Sequence, residues 1–285
     1  MLLPTALLIG ASLYLNIRSD VTNQIASWSD TRPNDAEALH ILAEQPTAKW
    51  FGDWNTNVTE DVDSYVTSAR RAHAMPTLVL YNIPNRDCGG YSSGGAEDSA
   101  YLDWITTVAD SIGNRKAVVI LEPDALALDC LFETAYPLIS DAVTILKTQP
   151  KTAVYLDAGH PNWIQPKIMA RRLRQANIGE ADGFALNVSN FYKTKRNLKY
   201  GRNLSNRLQD KHFIIDTSRN GNGSNGEWCN PSGRAIGHLP TTETGHARVD
   251  AYLWVKPPGE SDGYCNGGPA AGVWWADYAL ELVRN

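Results

Sequence analysis

The sequence has little cysteine, no basic block and no long apolar run, and each shortage excludes a class of protein. The four cysteines among 285 residues, Cys88, Cys130, Cys229 and Cys265, form no CxxC pair and no cluster with histidine. A zinc site is therefore not expected, and no metal or cofactor is assigned. The 26 Lys and Arg are outnumbered by 31 Asp and Glu, for a net charge of −5. With no basic run, a partner held through phosphate contacts, such as a nucleic acid, is not expected. The longest apolar stretch, residues 2–15 (LLPTALLIGASLYL), is shorter than the ~20 residues of a membrane span. No Walker loop is present.

What the sequence does have is nine tryptophans. A buried indole needs a partner for its N–H, so some of the nine are candidates for a surface that receives flat, amphipathic ligands. Residues 1–11 read as the remnant of a signal peptide's apolar region, with small residues at Gly10 and Ala11. No repeat and no Pro/Ser/Thr-rich linker divides the remainder, so residues 12–285 are expected to form one domain, monomeric and without a membrane partner. Four cysteines allow three pairings. The economical one is sequential, Cys88 with Cys130 and Cys229 with Cys265. Each such bridge would be worth roughly 3–4 kcal/mol through chain entropy. Disulfides imply an oxidising compartment and hence secretion.

Short, nearly continuous apolar runs rich in β-branched residues recur at 77–81 (TLVLY), 117–121 (AVVIL), 153–156 (AVYL), 183–186 (GFAL), 212–215 (HFII) and 251–255 (AYLWV). Strands covered on both faces have this pattern. Helical periodicity fills 100–112, 134–147 and 166–175 between them. Alternating strand and helix predicts a parallel α/β architecture.

A polar segment carrying carboxylates follows strand after strand: NIPNRDCGG, EPDAL, DAGHPNW, DTSRNGNG and KPPGESDG. In α/β barrels the C-terminal ends of the strands carry the active site. The candidates are Asp87, Glu122, Asp124, Asp157, Asp216, Glu260 and Asp262. A ring of carboxylates with tryptophans suggests carbohydrate chemistry. Cleaving a glycosidic bond needs one protonated carboxyl for the leaving oxygen and a second group to activate water or attack the sugar. Asp124, flanked by apolar residues in EPDALAL, has surroundings that raise a carboxyl pKa, and a neighbour such as Asp87 would raise it further.

Seven motifs in order now carry a resemblance: YNIPNRDCGGYSSGG at 81–95, LEPDALAL at 121–128, YLDAGHPNW at 155–163, NVSNFY at 187–192, IDTSRNGNG at 215–223, EWCNPSGRAIG at 227–237 and WVKPPGESDG at 254–263. From about Trp50 to the C-terminus the chain resembles glycoside hydrolase family 6, the inverting β-1,4-glucanases. The resemblance implies a distorted, incomplete parallel β/α barrel of about seven strands, with an open substrate cleft at the strand ends. It implies Asp124 as general acid, Asp87 as the carboxylate that raises the acid's pKa and helps stabilise the transition state, and Asp262 as candidate base. It further implies that Ser93 holds a water chain and that Tyr81 crowds the distorted sugar. Trp50, Trp228, Lys256 and Glu260 match glucosyl-binding residues on the non-reducing side. His160 and Trp163 match binders beyond the cleavage point, and Asp157, Asn187, Asn190 and Arg219 match binding or supporting positions. The family's two disulfides agree with sequential pairing.

Exo-acting relatives roof the groove with two long loops. Here the stretch 234–254 is short and 23 residues follow Asp262, so no insertion large enough for a tunnel is seen and endo-acting cleavage of a β-glucan is expected. The basic segment 191–212 would upset this reading if it folded over the groove. With no second module visible, soluble or amorphous glucan is the expected substrate. The alternatives are an exo-acting cellobiohydrolase and a non-catalytic carbohydrate-binding protein.

Overall fold

The computed structural model describes Leu8 and residues 10–285. The apolar runs form seven strands: β1 Lys49–Phe51, β2 Thr77–Leu80, β3 Ala117–Leu121, β4 Thr152–Asp157, β5 Gly183–Leu186, β6 His212–Asp216 and β7 Val249–Leu253. They pair in sequence order, every neighbour parallel. Eight α-helices accompany them among the described residues: α1 Asp20–Trp28, α2 Pro33–Ala43, α3 Val58–Arg71, α4 Tyr101–Ile112, α5 Phe132–Leu146, α6 Pro166–Gln175, α7 Thr194–Arg207 and α8 Ala276–Arg284.

Both faces of the sheet are buried, which is why its strands lack polar alternation. Leu78, Leu80, Val119, Leu121, Val154 and Leu156 face the helices. Val79, Tyr81, Val118, Ile120, Tyr155, Ile214 and Leu253 point the other way and fill the barrel interior. Among the described residues the outer strands β1 and β7 do not pair; the segments just before β1 and just after β7 join at a parallel bridge of Thr47 with Trp254, where the Ala48 N–H donates to the Trp254 carbonyl at 3.0 Å. The barrel is thus incomplete at this seam. Leu39 and Leu42 of α2, with Ala279 and Leu280 of α8, cover the buried Trp254 from outside.

The parallel barrel is as expected. Strand β1 is missing from the sequence reading, because three residues give too little periodicity. The last strand lies at 249–253 rather than 251–255. Helix α7 occupies most of 191–212 and packs against α6 and β6 on the outside of the barrel, so this segment does not roof the strand ends. The disulfides are Cys88–Cys130 and Cys229–Cys265, the sequential pairing. Most of the proposed signal remnant, residues 1–7 and 9, lies outside the described residues. Leu8 is buried, and the chain at Leu13 forms a parallel bridge with Met75 just before β2. Among the described residues no helix is long and apolar enough to cross a membrane.

Candidate active site

The strand ends open into a cavity of about 490 Å³, lined by Trp50, Tyr81, Asp87, Asp124, Trp228, Lys256, Glu260 and Asp262 among others. Its rim is aromatic and open: Trp54, Tyr91 and Trp228 are 49%, 48% and 54% exposed. The rings of Tyr91 and Trp228 lie 6.0 Å apart. The backbone around the cleft is held in unusual conformations. Asp87, Cys88, Glu122, Asp124, Asn187, Ser189 and Asn230 all have φ between 46° and 69°. Left-handed backbone at residues other than glycine costs about 1–3 kcal/mol each and persists only where the surroundings fix it.

Buried carboxylates supply much of that fixing. Glu122 follows β3 directly, is fully buried and accepts the N–H groups of Asn82 and Ile83 at 3.0–3.1 Å. It holds the turn after β2 rather than facing substrate. Asp216, at the end of β6, accepts from the N–H groups of Ser189, Ser218, Val255 and Lys256 and ties three loops together.

Asp124 sits half-buried in the cleft. Desolvation, then the neighbouring charges of Asp157, Asp87 and Asp262, raise its pKa well above the usual carboxylate range. Asp157 lies beside it, and burial pushes its own pKa up to about 7. Oδ2 of Asp157 accepts the N–H groups of Asp124 at 3.0 Å and Gly159 at 3.1 Å. Those donors favour its ionised form, so the shared proton resides on Asp124.

Asp87 is placed by the loop around it. The N–H and hydroxyl of Ser92 donate to its Oδ2 at 2.8 and 2.9 Å. The Tyr81 hydroxyl lies 3.0 Å from the Ser92 hydroxyl. Arg86 closes the same loop. Its guanidinium pairs with Asp53 at 2.8 Å and donates to the carbonyls of Tyr81, Ser92 and Ser93. Gly95, with φ of +105°, is required here: a Cβ would stand 2.0 Å from the Ile83 carbonyl oxygen. The Cys88–Cys130 bridge fastens this loop to the segment that follows Asp124.

Across the cleft, Asp262 receives both arms of the buried Arg219 guanidinium, at 2.9 and 3.0 Å. Asn230 binds it reciprocally: the Asn230 N–H donates to Asp262 Oδ2 at 3.0 Å, and the Asp262 N–H donates to the Asn230 side chain at 2.7 Å. The Cys229–Cys265 bridge joins the two segments involved. At the third wall, the Trp50 indole N–H donates to the Val255 carbonyl at 2.8 Å, and its ring meets Tyr81 edge-on. The Lys256 ammonium lies 5.9 Å from the Trp50 ring and 3.7 Å from Glu260. Burial pushes Glu260 up to about 7, with Lys256 pulling the other way.

The structure therefore gathers Asp87, Asp124, Asp262, Tyr81, Ser93, Trp50, Trp228, Lys256, Glu260 and Asn190 on one cavity. Four residues expected at substrate-binding positions, Asp157, Asn187, His160 and Trp163, do not line it. Asp157 is buried beneath the Asp124 turn, and Asn187 is buried with its side-chain amide donating to the carbonyls of Asn190 and Asp216. Both support loops. His160 stacks on Tyr192 at 4.5 Å, with Trp163 at 5.4 Å, as an aromatic shelf beyond β4. Burial lowers the His160 pKa to about 4, so its ring is neutral near pH 7.

Ser92, Trp54, Tyr91, Asn230 and Tyr192 were not singled out from sequence. Ser92 lies in GYSSG, which formally fits a nucleophile elbow, yet its hydroxyl meets a carboxylate and Tyr81 in a loop rather than a histidine after a strand. Likewise GNGSNG at 221–226 opens no helix and makes no dinucleotide site. Among the described residues, no group of three or more His, Cys, Asp or Glu is placed to hold a metal ion.

One protonated carboxyl, a second carboxylate across an open aromatic cleft, and no strand-end nucleophile elbow form an arrangement suited to glycoside hydrolysis. Comparison with known proteins agrees. Endoglucanase A of Cellulomonas fimi is 46% identical over 274 residues, covering 93% of this chain and 60% of that protein. Endoglucanase 1 of Streptomyces halstedii is 43% identical, covering 93% and 87%. The chain thus spans about three-fifths of the first relative's length. The solved endoglucanase Cel6 from Mycobacterium tuberculosis, in complex with a methyl-cellobiosyl thiocellobioside, superposes with a TM-score of 0.91 at 42% identity over 98% of both chains. The sequence matches the description "Glycosyl hydrolases family 6" over residues 9–285, and the chain belongs to that family.

Proposed function

We propose that the protein is a secreted endo-β-1,4-glucanase that cleaves internal bonds of cellulose or a related β-glucan with inversion. The observation that carries this reading is the pairing of Asp124, whose pKa is raised, with Asp262 across a cleft whose aromatic rim is open to solvent. Asp124 protonates the glycosidic oxygen as the bond breaks. Asp87, held by Ser92, keeps that proton on Asp124 in the free enzyme and stabilises positive charge growing at the anomeric carbon. Water attacks the opposite face of the sugar, and Asp262 is its candidate base. Arg219 and Asn230 fix the orientation of Asp262. The open rim lets a chain enter sideways at mid-length, which favours endo over exo action. The disulfides and the endoglucanase names of the relatives support the extracellular reading.

Two measurements on the intact protein test this. The viscosity of carboxymethyl cellulose should fall early relative to reducing-end release, and a slow fall would show exo action. NMR of freshly cleaved cellooligosaccharide should show the α anomer first. An initial β anomer would contradict inversion.

A further inference from the structure

An endo-acting cleft needs a path for the chain beyond its non-reducing-side binding residues, and the structure contains a built one. A second cavity, of about 410 Å³, shares Trp50, Trp54, Glu260 and Gly272 with the catalytic cleft, so the two spaces meet at these four residues. Its volume lies within the ~300–1,000 Å³ of small-ligand sites. It runs across the seam where β1 and β7 fail to pair as strands, between α1 and the Pro257–Pro258 loop.

The lining matches a neutral, hydroxyl-rich ring. Trp54 offers an exposed aromatic face, and Trp274 stands on the far side with its indole N–H fixed by Gln24 at 3.2 Å. Around them stand Arg18, Asn23 and Lys49, with Asp20 and Glu260 as acidic counterparts. Two cations face two carboxylates, so the cavity carries no net sign to select a charged ligand. Among the described residues, the exposed side chains of Arg18 and Asn23 donate no hydrogen bond to the protein, which leaves them to hydroxyls.

We propose that this seam cavity binds the β-glucan chain beyond the Trp50–Glu260 position, toward its non-reducing end, so that the enzyme grips at least one glucosyl unit more than the catalytic cleft holds. The inference rests on reading the cleft as that of a glucanase. It also gives a structural reason for mid-chain action. A dead end past Glu260 would force cleavage from a chain terminus, whereas a continuing groove does not.

Calorimetric titration separates this proposal from the hydrolase reading. In an Asp124→Ala background, cellohexaose should bind about tenfold more tightly than cellotetraose. Adding Asn23→Ala and Lys49→Ala should remove most of that gain, each lost hydroxyl contact being worth roughly three- to tenfold. A gain that persists in the cavity variants, or no gain in the parent, would overturn the proposal. Retained cellotetraose affinity shows that the variants are folded. Hydrolysis by the unsubstituted protein is measured alongside. Oligosaccharide that binds with the length dependence but is not cut would refute the hydrolase reading and leave the seam site standing.

Discussion

The backbone N–H of Asp124 donates a 3.0 Å hydrogen bond to Oδ2 of Asp157, so the acid's main chain is anchored by the same carboxyl group whose charge raises its pKa. Position and protonation of the acid are thereby coupled through one buried side chain. Asp157→Asn keeps an acceptor for the N–H and removes the charge. It should move the alkaline limb of the kcat profile to lower pH while retaining much of the maximal rate. Asp157→Ala removes the acceptor too and should also lower the plateau by tenfold or more, as misplacement of a catalytic group does. Asp124→Ala sets the floor, at roughly 10²–10⁴-fold loss. Equal pH profiles for wild type and Asp157→Asn would show that Asp157 only packs.

No hydrogen bond joins Asp87 to Asp124 among the described residues, so Asp87 acts on it through its charge. Asp87→Asn should therefore shift the alkaline limb in the same direction, toward lower pH, because the proton on Asp124 loses one of its electrostatic supports. The Ser92 N–H can still donate to the new amide oxygen. Ser92→Ala leaves that charge in place and should reduce kcat with a smaller shift of the limb. Stopped pH–rate assays on a cellooligosaccharide distinguish the two. A Ser92→Ala limb displaced as far as that of Asp87→Asn would refute the separation of charge from positioning.

How much of this was readable in the sequence varies residue by residue. Strands β2 to β6 announced themselves because burial on both faces leaves an unbroken β-branched run. Helix α7 did not, because Tyr200 and Leu204 on its inward face are interspersed with Asn197, Gly201 and Ser205, which carry little hydrophobic signal. Asp124, Asp157 and Glu122 share the same signature, a carboxylate just after or at the end of a strand. Only the backbone turn decides which faces the cleft and which turns inward to collect N–H groups. The same limit hid Ser92 behind Ser93: adjacent serines in a loop look alike until the loop closes on Asp87. Trp54 was passed over because nothing in its neighbourhood shows that Gly52 packs against its ring and turns it to the rim.

The fork between Arg219 and Asp262 is buried on both sides, so its geometry should matter more than its charge. Arg219→Lys keeps the charge and loses the paired contact. The expected cost is roughly 1.5–3 kcal/mol for a charge-assisted hydrogen bond, seen as a lower Tm. If the fork orients Asp262 toward water, kcat should fall at least tenfold while KM changes little. A lowered Tm with kcat intact would assign Arg219 to stability alone.

Glu122 offers a test of the buried framework apart from catalysis. Burial raises its pKa from 4.5 to about 7 in the folded protein, against the pull of the Asn82 and Ile83 N–H groups. The folded state then binds more protons than the unfolded chain between those two values. The contribution to stability is fully present below about pH 4.5 and is lost as pH rises through about 7, by roughly 3 kcal/mol at 1.36 kcal/mol per pH unit. Glu260, raised to about 7, acts in the same direction. Denaturant unfolding should therefore show the protein weakening from pH 5 to pH 8. Glu122→Gln, which has no proton to lose, should show a shallower decline over the same range. Its stability at pH 5 depends on how well the amide oxygen replaces the carboxyl, so the slope is the readout. A slope identical to wild type would mean that Glu122 stays ionised throughout and that its N–H donors outweigh its burial.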